Sequence, residues 1–349
     1  MAERRVSAEA LHQFLRSLYV AQGLPEEDAS LSAEQTVDAE LRGVTSHGCV
    51  RVGTFLQRLA GGTIKAHPRI RVSQDLPAYQ LIEGDDAMGA VAGAWAMEAA
   101  CEKAKSAGVA AAGVRSCSHA GHIGWLAEKA LAHGQIGIVI SAAAANLAPW
   151  GGAERILGNN PIAFAIPSSQ PHPLLFDMAT SKVARGYVIL AAKTGEPIPE
   201  GWALDAEGKP TTDARAALRG TMLPVGDYKG YGLALMFSML TGALTGSQFD
   251  ADLPDWLDLS QPFRLSLFAL AINPARCLGD EFASRVDAIA SRIRGSRLAP
   301  GFREIRLPGE GSGRRKEAAT REGILLKEAL WRELAGHAER LGVPLPPPL

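Results

Sequence analysis

The chain has 349 residues, 47% hydrophobic and 21% charged, enough for two or three domains with a large core. Its 36 basic and 37 acidic residues leave a formal net charge of -1, so it has no basic surplus for nucleic acid or an anionic membrane surface. Cys49, Cys101, Cys117 and Cys277 form no C-x-x-C pair, which fits a reduced, cytoplasmic protein and excludes a disulfide scaffold.

Met1–Arg5 leads into a helix without a long apolar core, so no signal peptide is expected. Residues 1–75 read as the first part of a helical domain. Ser7 caps a helix with Leu11, Phe14, Leu15 and Leu18 facing inward. A second helix follows Pro25, with Glu26, Glu27 and Asp28 favouring its N-terminus. A third has Ser46 as N-cap, places Val52, Phe55, Leu56 and Leu59 at core spacing, and ends near Gly61-Gly62.

Residues 76–258 read as an α/β domain. Strands are expected at Ile70–Val72 and Tyr79–Ile82, and Gly84-Asp85-Asp86 turns into an alanine-rich helix from about 90 to 106. Val109–Val114 is a buried strand, Gly121–His133 a helix, and Ile136–Ser141, Ile162–Ile166 and Leu174–Met178 further strands. Gly230–Gly246 is apolar but glycine-rich and short for a membrane span, so it reads as a fully buried helix. Residues 259–349 are expected to complete the helical domain. They hold a strand at Phe263–Ile272, a helix at Glu281–Arg294, a short strand ending at Pro308, a closing helix at Lys327–Leu341 and a frayed Pro344–Leu349.

The chemistry concentrates in Ser46-His47-Gly48-Cys49-Val50-Arg51. On one helix, His47 and Arg51 share a face. One titrates near neutrality and the other is a permanent cation that forks onto carboxylates, which suits a small 2-oxo or 2-hydroxy acid. The plainer alternative is a solvated helix face. A G-x-G-x-x-G fingerprint after a strand is absent, and Gly309–Gly313 lies outside any βαβ unit, so an ordinary Rossmann domain is not expected. Glycine-rich turns remain at Asn146–Pro161, Asp177–Gly186 and Asp227–Gly232, the last combining a helix N-terminus with Lys229. His119 and His122 flank a glycine turn with no carboxylate nearby in sequence. No metal is expected there.

Together these segments resemble the malate/L-lactate dehydrogenase family sometimes called type 2, which includes ureidoglycolate, sulfolactate and diketogulonate enzymes and cyclic-imine reductases. The motifs run in order over nearly the whole chain: S-H-G-x-x-R, S-x-H-x-G-x-x-G, A-P-W-G-G, G-x-N-P, D-M-A-T-S-x-x-A-R-G, P-E-G-W-A-L-D, G-x-P-T-T-D and Y-K-G-Y-G-L. The resemblance implies a non-Rossmann nicotinamide-binding α/β domain inserted in a mainly helical domain built from both termini, in a homodimer. It implies that Arg51 binds the substrate carboxylate and that His47, oriented by Ser46, or His119 moves the proton. His47 is preferred because it neighbours the clamp, with His119 polarising the carbonyl.

The resemblance further implies that Asp177, Met178, Ala179, Thr180 and Ser181 bind NAD or NADP around the ribose and nicotinamide. Tyr228 and Lys229 would meet phosphates or ribose, and Pro308, Gly309 and Glu310 the adenosine end. Trp150 and Gly151 would line the active-site floor. Phe55 stands where many relatives have Tyr, Ser141-Ala142-Ala143 where they often have Thr-Asn-Ser, and Tyr187 where they often have an acid or Lys. The expected activity is NAD(P)-dependent hydride transfer between nicotinamide and a small 2-hydroxy or 2-oxo acid. The alternatives are reduction of a cyclic imine bearing a 2-carboxylate, and a catalytically idle cofactor binder.

Overall fold

The computed structural model describes residues 4–347 and 349. Its fold is mixed α/β, organised on a seven-stranded sheet. In spatial order the strands are Arg71–Leu76, Tyr79–Ala87, Val109–Cys117, Leu265–Ile272, Ile136–Ser141, Ile162–Ile166 and Leu174–Met178. Three of them coincide with the sequence reading residue for residue. Tyr79–Ala87 runs through the expected Gly84–Asp86 turn, with Asp85 and Asp86 at φ 50° and 57° inside the strand. The helix Gly89–Ala107 then crosses back to Val109–Cys117, which is parallel to Tyr79–Ala87.

Leu265–Ile272 departs most from the sequence reading. The composition of residues 259–349 points to the C-terminal helical part, yet this strand lies between Val109–Cys117 and Ile136–Ser141, antiparallel to both. It therefore separates two strands that a simple βαβ unit would pair directly. Its alternating Leu265, Leu267, Ala269 and Ala271 are buried against the helix side of the sheet.

The helical layer follows its caps and periodicity. Ser7 accepts from the Ala10 amide at the start of Ala8–Ala21. Leu11, Leu15 and Leu18 are fully buried, each contributing about 1.5–3 kcal/mol. Glu26–Leu41 packs beside it and buries Gln35, Asp38 and Glu40 along with its apolar residues. Glu310–Glu322 and Glu328–Leu341, from the other end of the chain, pack on these helices, and Arg4–Val6 pairs with Ile324–Leu326. One contiguous core joins this layer to the sheet, from Leu15 and Leu56 through Ile82 to Leu267.

Four further expectations change. Residues 303–308 form no strand; the short strand is Ile324–Leu326. The expected helix over Gly121–His133 is a shorter α-helix, Ile123–Glu128, continued by a 3-10 turn at Lys129–His133. The end of the chain is tied down, because the Leu349 amide donates to the Arg5 carbonyl. The expected buried helix is Tyr228–Ser238, continuing as a π-helical turn over Met239–Ala243. Only its Gly230, Ala234, Phe237 and Ser238 side is buried, while Leu233, Met236, Met239 and Leu244 are exposed. Among the described residues no helix is long and apolar enough to cross a membrane.

A second sheet of very short strands orders Pro210–Thr211, Ala203–Leu204, Thr221–Met222, Ala145–Leu147 and Leu157–Gly158. It has its own core of Leu147, Val188, Ile198 and Met222. Pairs of two residues leave no readable alternation, so the sequence carried no sign of them.

Candidate active site

The Ser46–Arg51 segment is not one helix. Thr45–His47 and Cys49–Arg51 are two 3-10 turns broken at Gly48, and the α-helix begins at Val52. Ser46 therefore caps no helix. Its hydroxyl pairs with His47 Nδ1 at 2.9 Å, and its carbonyl accepts from Arg51 Nε at 2.8 Å. Glu40 causes the break. Its buried carboxylate accepts the Cys49 amide at 2.7 Å, and a Cβ on residue 48 would lie 2.6 Å from the Glu40 Cδ. Only glycine fits that approach. The outcome still joins His47 and Arg51, through Ser46 rather than through a helix face.

His119 arrives from the loop after Val109–Cys117. Its ring centroid is 5.7 Å from that of His47 and 5.0 Å from Trp256, with Phe55 at 6.3 Å and Phe263 at 6.4 Å. His119 Nδ1 accepts the Gly121 amide at 3.0 Å, so the neutral ring carries its proton on Nε2. Burial, with Arg51, His47 and Arg58 nearby, pushes the His119 pKa well below that of a free imidazole. Burial and the Arg51 charge likewise pull His47 down to about 4, opposed by Asp177.

Arg51 keeps its terminal N–H groups without an acceptor among the described residues, and Arg185 adds a second positive charge near it. Gly186 brings that element against Ser46, a Cβ there being 4.0 Å from the Ser46 Cβ. The cluster is thus cationic and holds two imidazoles that burial keeps neutral, suited to hold a carboxylate and exchange one proton.

Trp256, Phe263 and Arg58 escaped the sequence reading. Arg58 is fully buried, stacks 4.3 Å over Trp256, and donates to the carbonyls of Trp256 (2.6 Å), Asp258 (2.8 Å) and Gln261 (3.0 Å). It anchors the segment that covers His119. The available signal was a charge at a core position between Leu56 and Leu59. Phe55 is buried in the same aromatic cluster.

Asp177 is the penultimate residue of the strand Leu174–Met178. Its Oδ2 accepts the Gly124 amide at 2.9 Å and lies 3.3 Å from His122 Nε2. The three glycine-rich segments meet just beyond it. The Thr180 amide donates to the Asn159 carbonyl, and Gly230 packs so closely that a Cβ there would stand 3.0 Å from the Thr180 carbonyl oxygen; just before that third segment, the Val225 amide donates to the Thr180 carbonyl and Ser181 bridges to Pro224. Met178 and Ala179 are half-buried at this junction. The Ser181 hydroxyl is used on the Val183 carbonyl at 2.8 Å. The Thr180 hydroxyl is buried with no partner among the described residues.

Tyr228 and Lys229 stand exposed at the start of the following helix, with no acidic partner for Lys229 among the described residues. An orphaned hydroxyl, a free lysine and helix N–H groups beside a carboxylate form a donor set that fits a pyridine dinucleotide.

The remaining expected positions lie apart from the imidazole pair in their contacts. The Pro308 carbonyl accepts the Leu175 amide at 3.2 Å, and Gly309, at φ 94°, would set a Cβ 2.7 Å from that same amide nitrogen. Glu310 is buried and occupied by Arg294 and by the Leu307 amide. Trp150 and Gly151 are exposed at the tip of a turn, and Trp150 joins none of the aromatic contacts around His119. Cys117 donates its thiol to the Leu265 carbonyl, and burial pushes it up to about 12, unsuited to nucleophilic work.

A nicotinamide-type oxidoreductase is the class these features define. Residues 6–335 match the family model described as malate/L-lactate dehydrogenase. The chain is 36% identical over 342 residues to an L-sulfolactate dehydrogenase of Methanothermobacter thermautotrophicus, covering 98% of both. It superposes on the sulfolactate dehydrogenase of Methanocaldococcus jannaschii with a TM-score of 0.92 at 37% identity, covering 98% of each chain. It also superposes on the delta1-piperideine-2-carboxylate reductase of Pseudomonas syringae, with a TM-score of 0.87 at 30% identity, covering 96% of this chain and 100% of that one. The chain belongs to the malate/L-lactate dehydrogenase family, and its relatives are named as oxidoreductases.

Proposed function

We propose that the protein interconverts a small 2-hydroxy acid and the corresponding 2-oxo acid, using NAD or NADP. The observation that carries this reading is the pair of imidazoles 5.7 Å apart beside an arginine with free terminal N–H groups. Arg51 forks onto the substrate carboxylate. His119, with its proton on Nε2, donates to the carbonyl oxygen and lowers the cost of the developing oxyanion. His47 delivers the proton that makes the hydroxyl, and in the reverse direction accepts it. A bound nicotinamide would supply or receive the hydride at the carbinol carbon. Asp177, Thr180, Tyr228 and Lys229 would hold that cofactor.

Arg51 and His47 are coupled. Burial and, after it, Arg51 depress His47 in the free protein, so a carboxylate on Arg51 offsets the Arg51 part and raises the basicity of His47. The site thus becomes competent for proton transfer as the substrate binds.

The exposed apolar side of Leu233, Met236, Met239 and Leu244 supports homodimer formation, because a patch of this kind is costly to leave in water. Reduction of a cyclic imine carrying a 2-carboxylate is the second reading, supported by the likeness to the piperideine-carboxylate reductase. The test is a reductase screen of pyruvate, oxaloacetate, sulfopyruvate and piperideine-2-carboxylate with NADH and NADPH. Turnover of the oxo acids is expected. Turnover of the imine alone would select the second reading, and cofactor binding with no turnover would leave an idle relative.

A further inference from the structure

Resting on the site reading above, we propose that His122 is a positioning residue: a sealed imidazolium between Asp38 and Asp177 that fixes the Asp177 carboxylate and balances its charge against His47. His122 is 3% exposed. Its Nδ1 lies 3.3 Å from Asp38 Oδ2 and its Nε2 lies 3.3 Å from Asp177 Oδ2. Both ring nitrogens face carboxylate oxygens, which only accept. Neither contact closes as a hydrogen bond, and Nδ1 stands buried without a hydrogen-bond partner among the described residues, so the two carboxylates act on the ring as charges at ion-pair distance and favour its protonated form. Consistent with that, burial disfavours the charge but the two carboxylates outweigh it and raise His122 to about 9.

The two ends of the bridge differ. Asp38 has other cations, with Arg42 Nε at 2.8 Å and Lys316 Nζ at 2.6 Å. Among the described residues Asp177 has only His122 and the Gly124 amide. Removing His122 therefore leaves Asp38 neutralised and Asp177 with the Gly124 amide but no cation among the described residues. The geometry around this end is tight: a Cβ on residue 124 would stand 2.7 Å from His122 Nε2 and 3.0 Å from Asp177 Oδ2. The turn bearing His122 is itself held from the helical layer, where Gln35 Nε2 donates to the carbonyls of Ala120 and His122.

The bridge connects two parts of the site. Asp38 sits on Glu26–Leu41, the helix whose Glu40 seats the Gly48–Cys49 break, and Asp177 begins the proposed cofactor turn. The charged and titratable groups acting on His47 are Arg51, Asp177 and His122, with the His119 ring beside it. Arg51 and His122 oppose protonation of His47, and Asp177 favours it. A neutral residue at 122 removes one opposing charge and uncovers the favouring one, so both changes act in the same direction.

The test is ring-15N histidine NMR on the full chain, with the His47 signal assigned by its loss in His47→Gln. In His122→Gln the His47 titration midpoint should rise by roughly one pH unit, the scale of losing one nearby charge at intermediate permittivity. His122→Lys, which restores a cation, should return it towards the wild-type value. An unmoved His47 midpoint in folded His122→Gln would overturn the proposal. Should that variant not fold, the wild-type spectrum still decides: His122 must show both ring nitrogens protonated at pH 7, and a neutral ring there would refute the bridge. A midpoint that moves while the acid limb of the pH–rate profile stays put would keep the bridge and refute His47 as the proton carrier.

Discussion

Replacing Arg51 with lysine tests the anion clamp with the least disturbance. The charge is retained, and what is lost is the planar fork and the Nε donor. In the structure Nε is committed to the Ser46 carbonyl at 2.8 Å, while the terminal N–H groups remain for substrate. A lysine offers a single point charge and cannot serve both tasks. The difference is about one charge-assisted hydrogen bond to the substrate, or roughly 1.5–3 kcal/mol. That corresponds to a drop of roughly 10- to 150-fold in kcat/KM. Because the carboxylate is bound alike in ground and transition states, most of the loss should fall on KM, with kcat within a few-fold. Steady-state kinetics on whichever oxo acid the screen identifies provide the measurement, with thermal melting to check the fold. A KM unchanged in folded Arg51→Lys would remove Arg51 from substrate binding and with it the reason to expect an acid substrate.

Three other outcomes follow from the same geometry. Gly48→Ala should destabilise the protein by about 1–3 kcal/mol and sharply reduce activity, since the added methyl displaces Glu40 from the Cys49 amide; an unshifted urea midpoint would contradict that packing. In the oxidative direction the acid limb of kcat/KM should report the depressed His47 of the free enzyme, near pH 4, and the limb of kcat should lie at higher pH, because bound carboxylate offsets Arg51; coincident limbs would disprove the coupling. The His122 ion pairs should also make stability pH-dependent. Its folded pKa, about 9, lies above the unfolded value near 6.5, so their stabilisation is complete below about pH 6.5 and fades as pH rises through 9, by up to about 3 kcal/mol. Urea unfolding at pH 6.5 and 9 reads this directly, and a His122→Gln protein should lack that component of the decline.

Local pattern carried much of this molecule into view. Ile136–Ser141, Ile162–Ile166 and Leu174–Met178 are legible because each is a short apolar run bounded by turn residues. The Ser7 cap and the Leu11–Leu18 stripe were equally plain, and so was the order of the motifs that mark the family. Long-range contact decided the rest. Leu265–Ile272 has the composition of many strands, and nothing local says that it parts two others from the middle of the sheet. Glu40, eight residues before Gly48, turns an apparent helix into two 3-10 turns, because a buried carboxylate needs the Cys49 amide. Trp256 and Phe263 close over His119 through Arg58, a contact spanning about two hundred residues. Periodicity reports which face of an element is buried, but not what buries it. The pairing of His47 with His119, and of His122 with two acids, is therefore a property of the packed chain.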